Sequence, residues 1–323
     1  MFKTLTINLA VFLIAFLALE ALVRTFVPVR NVGPAFSEYD PVYGKRLKAS
    51  FFTVRSSPEF RMTFSSNSHR HRGPEPRGSI AGGILMFGDS YTEGYGVNDG
   101  EEFAALLRQQ LDRRHGEFAP PVVNAGMSDT GNGRSLKLLL REGRALAPKL
   151  IVLQLMNNDF GDNRRENFFA LRDAELREVA APASGKPSPW SVHQLVETVP
   201  GLAHSYAISA MRQMRWSSSA RAFYQDSADA DELTYRIWDR IFDKCRDERW
   251  PLVLLAVDLK QDRLKRLTLT AAARQLPVVV SPTRAERPDL FYKLDGHWNK
   301  RGHQQVAGML LQAIDATGAL AVR

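Results

Sequence analysis

The chain has 323 residues, 44% hydrophobic and 24% charged, ordinary globular usage that excludes wholesale disorder, collagen and coiled coil. Its single cysteine excludes an intramolecular disulfide and a cysteine-based zinc site. The net charge is +8, and eight basic against two acidic residues between Lys45 and Arg77 put most of that excess in one stretch. Such a stretch suits lipid headgroups, anionic polysaccharide or nucleic acid, but reads first as a solvated basic face, and no nucleic-acid partner is expected.

After Lys3, the run from Thr4 to Leu19 carries no charge, and Glu20 interrupts it before Ala21, Leu22 and Val23. As a helix the run to Val23 is about 30 Å long, one hydrocarbon thickness. A signal peptide is the rival, yet no Ala-x-Ala site follows, so residues 1–27 are read as an uncleaved membrane anchor. Lys3 pulls the N-terminus inward while Arg24 and Arg30 pull the other way, so charge alone does not set the orientation.

Residues 28–79, rich in Pro, Gly, Ser and Arg, read as a linker with a few short strands leading into the main domain. From Ile80 onward short apolar runs alternate with amphipathic stretches. The strand candidates are Ile84–Phe87, Pro121–Asn124, Leu150–Leu155, Pro251–Val257 and Pro277–Ser281. Phe103, Leu106, Leu107 and Leu111 recur at helical spacing, as do Leu233, Ile237, Ile241 and Phe242, the face on which Cys245 also falls. Asn299 is placed to cap a last helix whose inner face holds Val306, Leu310 and Ile314. Continuously apolar strands alternating with helices predict an α/β domain over 80–323: a parallel sheet of about five strands in a three-layer αβα sandwich. Residues 160–230 break the rhythm and read as a helical insertion.

In such a sheet the loops after the strands emerge on one edge, where ligands bind. The first strand is followed by Gly88-Asp89-Ser90, the second by Asn124-Ala125-Gly126, the third by Asn157-Asn158-Asp159. After the last comes a long loop ending in Asp295-Gly296-His297. A hydroxyl, a glycine amide, a carboxamide and an Asp/His pair on one edge are the inventory of acyl transfer: nucleophile, base with its orienter, and oxyanion donors. Rival readings fit less well. Gly94-x-Gly96-x-x-x-Gly100 has the wrong spacing for a dinucleotide fingerprint, there is no Walker A sequence, and an Asp-x-His coming last leaves no metallophosphoesterase ligand set after it.

These four segments, in this order, resemble the SGNH (GDSL-like) hydrolase superfamily, and the stretches Gly94-Tyr95-Gly96-Val97, His297 to His303 and Asp40 to Gly44 resemble its bacterial members anchored by one N-terminal helix. The resemblance implies a flavodoxin-like fold and a serine esterase needing no metal or cofactor. Ser90 would be the nucleophile, His297 the base and Asp295 its orienter. Backbone N–H groups of Ser90 and Gly126 and the side chain of Asn158 would form the oxyanion hole. Substrates would be acylated small molecules or envelope polysaccharide, and the domain would face the periplasm or cell exterior. The same acyl-enzyme would serve an O-acetyltransferase, and a non-catalytic glycan-binding module using the basic lead-in is the remaining alternative. Each residue also has a plainer reading: Ser90 as a helix N-cap, Asp295-x-His297 as a brace for the last helix, Asn158 as an Asx turn, Gly126 as a backbone requirement. Three departures stand out. Met156 replaces a frequent glycine and would narrow the pocket, Asp-x-His replaces Asp-x-x-His, and Arg70 and His71 replace a glycine and an aromatic. His69 and His71 read as exposed loop residues, His303 as structural, and Trp298 as packing near the site.

Overall fold

The computed structural model describes residues 2–179, 188, 191–199, 201–220 and 223–320. An apolar helix, α1 (Phe2–Phe26), leads into two antiparallel hairpins: β1 (Ser37–Asp40) with β2 (Gly44–Leu47), and β3 (Phe51–Ser56) with β4 (Arg61–Ser66). Val32 pairs with Ser56, and Arg72 bridges to Asn124, so the lead-in is stitched to the edge of the main sheet.

That sheet holds β5 (Ile84–Phe87), β6 (Val122–Asn124), β7 (Leu150–Met156), β10 (Leu252–Val257) and β11 (Val278–Val280), all neighbours parallel. A third hairpin, β8 (Phe169–Arg172) with β9 (Glu175–Glu178), lies between β7 and β10 in sequence. The spatial order is β11-β10-β7-β5-β6. Numbered along the chain the five parallel strands thus run 2-1-3-4-5, the flavodoxin-like order, which reverses at β5 between β6 and β7. Pro121, Pro251 and Pro277 fall just outside strands expected to include them. Having no N–H they add nothing to the ladder as donors, but their carbonyls accept from Ile84 (2.8 Å), Ile151 (2.8 Å) and Leu254 (2.9 Å).

Alternation along each strand feeds two cores. Leu85, Phe87, Ile151, Leu153, Leu254 and Ala256 join one cluster with α4 (Asn132–Leu146), α8 (Ala228–Asp247) and α9 (Gln261–Ala273). Ile84, Met86, Val152, Val253 and Leu255 join the other with α3 (Phe103–His115) and α10 (Lys300–Thr317). With both faces covered nearly every strand position is apolar, Gln154 and Asn124 being the polar ones, hence the long hydrophobic runs. Asn299 caps α10, its side chain accepting from Arg301 N (2.9 Å) and Gly302 N (3.2 Å). Cys245 is buried in the first core.

The segment expected as a helical insertion contains the rest of α5 (Asn158–Glu166), the β8–β9 hairpin, α6 (Val192–Thr198) and α7 (Tyr206–Ala220). Residues 180–187, 189–190, 200 and 221–222 of it lie outside the described residues. The hairpin was not foreseen: Phe169-Ala-Leu-Arg172 is too short for periodicity to register.

Candidate active site

The order reversal at β5 opens a crevice between the carboxyl ends of β5 and β7. From β5 the chain turns through Asp89 into the one-turn helix α2 (Ser90–Glu93), whose N-terminus Asp89 caps by accepting from Tyr91 N (2.9 Å). Ser90 is therefore the first helical residue, with an amide that has no partner within the turn. From β7 the chain enters α5 at Asn158. Asn158 Nδ2 donates to Asp89 Oδ2 at 2.7 Å, which joins the two sides of the crevice. Gln154 Oε1 accepts from Asp89 N (3.0 Å) and Thr92 Oγ1 (2.9 Å) and holds the turn from behind.

The loop after β11 supplies the rest. Ser90 Oγ and His297 Nε2 are 2.7 Å apart, and His297 Nδ1 and Asp295 Oδ1 are 2.5 Å apart. Gly296 between them adopts φ +91°, a left-handed turn that lets an Asp-x-His spacing fold its carboxylate back onto its own imidazole. Burial raises the Asp295 carboxyl, but the bond from His297, that ring's charge, the His297 amide and the Arg30 cation together bring it below the usual carboxylate value. An ionised Asp295 accepts a proton bond, so Nδ1 carries the hydrogen and Nε2 presents its lone pair to the Ser90 hydroxyl. The His297 side chain is 25% exposed and Asp295 6%, so solvent and substrate reach the ring but not its orienter.

Several supporting residues escaped the sequence reading. Tyr91 and Tyr95 hold the imidazole between them, with ring centroids 4.8 and 4.9 Å away, and Trp298 packs edge-on against Tyr91. The Glu59 carboxylate, in the β3–β4 turn, accepts from the amides of Lys293 (2.7 Å), Leu294 (2.8 Å) and Asp295 (2.8 Å). Arg72, its side chain wholly buried, donates to the carbonyls of Glu93 (2.9 Å), Gly94 (2.5 Å) and Val97 (2.7 Å), which fixes the exit from α2. Trp298 was expected to pack near the site, and Tyr91 and Tyr95 lie beside Ser90 in sequence, but Glu59 and Arg72 belong to no local motif, so no spacing rule marks them. His303 lies buried, Nδ1 accepting from Phe103 N at 3.2 Å.

Two expectations need correction. The Gly126 amide donates to Asn124 Oδ1 at 3.1 Å, inside its own turn, and is not free for an oxyanion. Glycine stands there for space: a Cβ would meet Glu93 N at 2.3 Å, where the loop presses on the backbone of α2. Three residues on, exposed Asp129 takes a left-handed conformation (φ +54°), and its N–H has no partner among the described residues. The second correction concerns His71. It is buried, with Nδ1 unpartnered, and its amide donates to Asn67 Oδ1 (3.0 Å); His69 stays exposed. Among the described residues no three His, Cys, Asp or Glu side chains gather as metal ligands. Met156 is half-buried against the α3/α10 core, and its amide donates to Asp159 Oδ2 (2.7 Å).

A cavity of about 640 Å³ lies elsewhere, between loop 73–80 and α3, lined by His71, Arg72, Glu102, Arg108 and Asp112 among others. Neither Ser90 nor His297 lines it.

Comparison with known proteins adds a family. Residues 84–230 match the GDSL-like lipase/acylhydrolase model, a span that includes Ser90 and Asn158 and stops before Asp295. No curated protein matches the chain. Similar solved structures include a psychrotrophic esterase from Pseudoalteromonas sp., at 15% identity and TM-score 0.42, covering 73% of this chain and 97% of that one. A lipase/acylhydrolase from Enterococcus faecalis stands at 16% identity and TM-score 0.39, covering 72% and 95%. A GDSL-like lipase from Bacteroides thetaiotaomicron stands at 11% and 0.41, covering 73% and 89%.

Proposed function

Since the chain carries a GDSL-like lipase/acylhydrolase domain, we propose that it is a serine esterase with Ser90 as nucleophile, His297 as general base and acid, and Asp295 as the orienter of the imidazole. The observation that carries this reading is the continuous relay Ser90 Oγ–His297 Nε2 (2.7 Å) and His297 Nδ1–Asp295 Oδ1 (2.5 Å). As Oγ bonds to the acyl carbon, Nε2 takes the hydroxyl proton and the carbonyl electrons move onto oxygen. The oxyanion is met by the Ser90 amide at the start of α2 and by the second Nδ2 hydrogen of Asn158, the first being committed to Asp89. Collapse expels the alcohol, which leaves with the proton from Nε2. Water then repeats the cycle on the acyl-enzyme, giving the acid and restoring Ser90.

The substrate class in this reading is an acyl ester, with short acyl groups on a cell-envelope polymer as the specific proposal. The helix α1 holds the chain in a membrane with the domain on the periplasmic or extracellular side. Purified full-length protein should hydrolyse nitrophenyl acetate and gain the mass of a fluorophosphonate at Ser90. Ser90→Ala should abolish both. Equal turnover by wild type and Ser90→Ala would overturn the assignment.

A further inference from the structure

One acidic residue interrupts the most apolar segment of the chain. Among the described side chains of α1, Phe16, Glu20 and Val23 are half-buried, at i, i+4 and i+7 on one face, and α7 packs against that helix. The rest of α1 is exposed, including Leu9, Phe12, Leu13 and Leu17. A carboxylate in such a helix is costly unless its oxygens are satisfied. Here Glu20 accepts from Tyr206 N (2.6 Å), Ala207 N (3.0 Å) and Ser205 Oγ (2.7 Å), the first groups of α7. Arg24, one turn on, lies over the Tyr206 ring at 5.4 Å. Glu20 thus caps a helix of the folded domain from within the apolar segment, complementing the positive end of α7. Removal of α1 as a leader would strip α7 of this cap.

Several exposed side chains around the junction are apolar, interleaved with Arg212 and Gln213. Met211 and Met214 of α7 are 50% and 65% exposed, Leu195 of α6 is 55% exposed, and Phe26 at the end of α1 is 76% exposed. From that end a short ladder reaches the site. Arg30 N donates to Gln213 Oε1 of α7 (3.0 Å) and Val32 pairs with Ser56. Ser56 opens the turn whose Glu59 holds the amides of residues 293–295, and whose Phe60 packs on Tyr95, itself against His297. Five residues separate the end of α1 from Val32, six steps and at most about 20 Å of extended chain.

We infer that Glu20 pins α7 beside the exit of α1, so that α7 lies in the lipid headgroup layer and the Ser90–His297 site takes esters carried at the bilayer surface. The occupant of the α6–α7 face is the bilayer itself, because that face is continuous with the exposed apolar helix. The inference rests on the esterase reading and names the location of its substrate. An interfacial helix of this kind gains affinity from its buried apolar side chains, and confinement at the surface raises the effective concentration of an ester held there.

The test reconstitutes the full chain in phosphatidylcholine/phosphatidylglycerol vesicles. An environment-sensitive fluorophore on Met211→Cys, and separately on Met214→Cys, should emit as in an apolar medium and be quenched by doxyl-labelled phosphatidylcholine; buried Cys245 leaves the label selective. In unlabelled protein Glu20→Ala should lower hydrolysis of vesicle-borne hexadecyl 4-acetoxybenzoate, an aryl acetate held in the bilayer by its alkyl tail, by about tenfold, with hydrolysis of soluble nitrophenyl acetate unchanged. Glu20→Gln, which keeps one carbonyl acceptor for α7, should fall between. Labels that stay in water at both positions overturn the inference, as does an equal loss on both esters. A wild-type protein inert toward the soluble ester overturns the esterase reading instead, and the labels still report the docking of α7.

Discussion

Asn158 has two Nδ2 hydrogens and one committed partner, Asp89, so its remaining hydrogen is the side-chain donor of the proposed oxyanion site. Its Oδ1 is buried without a partner among the described residues, which leaves the carboxamide no competing use for a flipped orientation. Asn158→Ala should therefore lower kcat on nitrophenyl acetate by about 10²–10³, or ~2.7–4 kcal/mol of transition-state stabilisation, with little change in KM. An unchanged kcat would remove Asn158 from the oxyanion site. The same close reading explains why sequence misjudged Gly126. A glycine after the second strand is visible in any sequence, but its reason is not. The reason is the backbone of α2 pressing against it, a contact between segments more than thirty residues apart.

At the scale of elements, the loop bearing Asp295 and His297 follows the short edge strand β11 (Val278–Val280). From the other end of the chain the β3–β4 turn presents Glu59 to three successive amides of that loop. Glu59→Ala should leave these amides to water and let the imidazole wander from Ser90. The expected signature is a fall in kcat of about tenfold, roughly 1.4 kcal/mol, with KM nearly constant and partial recovery in Glu59→Gln. A purely structural role for Glu59 would instead lower the melting temperature without moving kcat at a temperature where the variant is folded. The lead-in hairpins thus hold the loop of His297, the proposed base. Their sequence, with short strands and scattered aromatics, marks them only as a connecting segment.

For the molecule as a whole, six of the eight basic residues in the concentrated stretch are tied to partners, while Arg61 and Arg77 stay exposed. Lys45 reaches Ser128 O, Arg46 pairs with Glu142 (2.7 Å), Lys48 with Glu197 (3.4 Å), and Arg70 with Glu38. Arg55 donates to Asn31 O (3.1 Å) and Arg72 to the α2 exit. The buried acids tell a complementary story. Burial raises the carboxyls of Asp89, Glu93, Glu102, Asp159 and Asp162, and pushes Glu166 up to about 8. Burial also lowers His71 and His303 to about 3. Above pH ~6.5 both histidines are neutral folded or unfolded, so only the acids respond. There the native state holds protons that the unfolded chain has released, and stability must fall as pH rises through about 8. The melting temperature should drop between pH 6.5 and 8, and Glu166→Gln should flatten the drop. A flat wild-type profile across that window would contradict the burial of these acids. Below pH ~6.5 the two histidines oppose the acids, because the unfolded chain then binds protons that their buried rings refuse.

The alternation of apolar runs and amphipathic helices determined the parallel sheet and its two-sided core, because each periodicity reports which faces of an element must leave water. The residues following each strand also carried the inventory of a hydroxyl, an imidazole, a carboxylate and a carboxamide, since ligands in such sheets collect at the carboxyl ends of the strands. Only the tertiary structure decided how these groups are held. It supplied Glu59 under the loop of His297, Arg72 behind α2 and the grip of Glu20 on α7. Each of these is a bond between segments distant along the chain, and local pattern bears no trace of a partner that folding alone brings within hydrogen-bond reach.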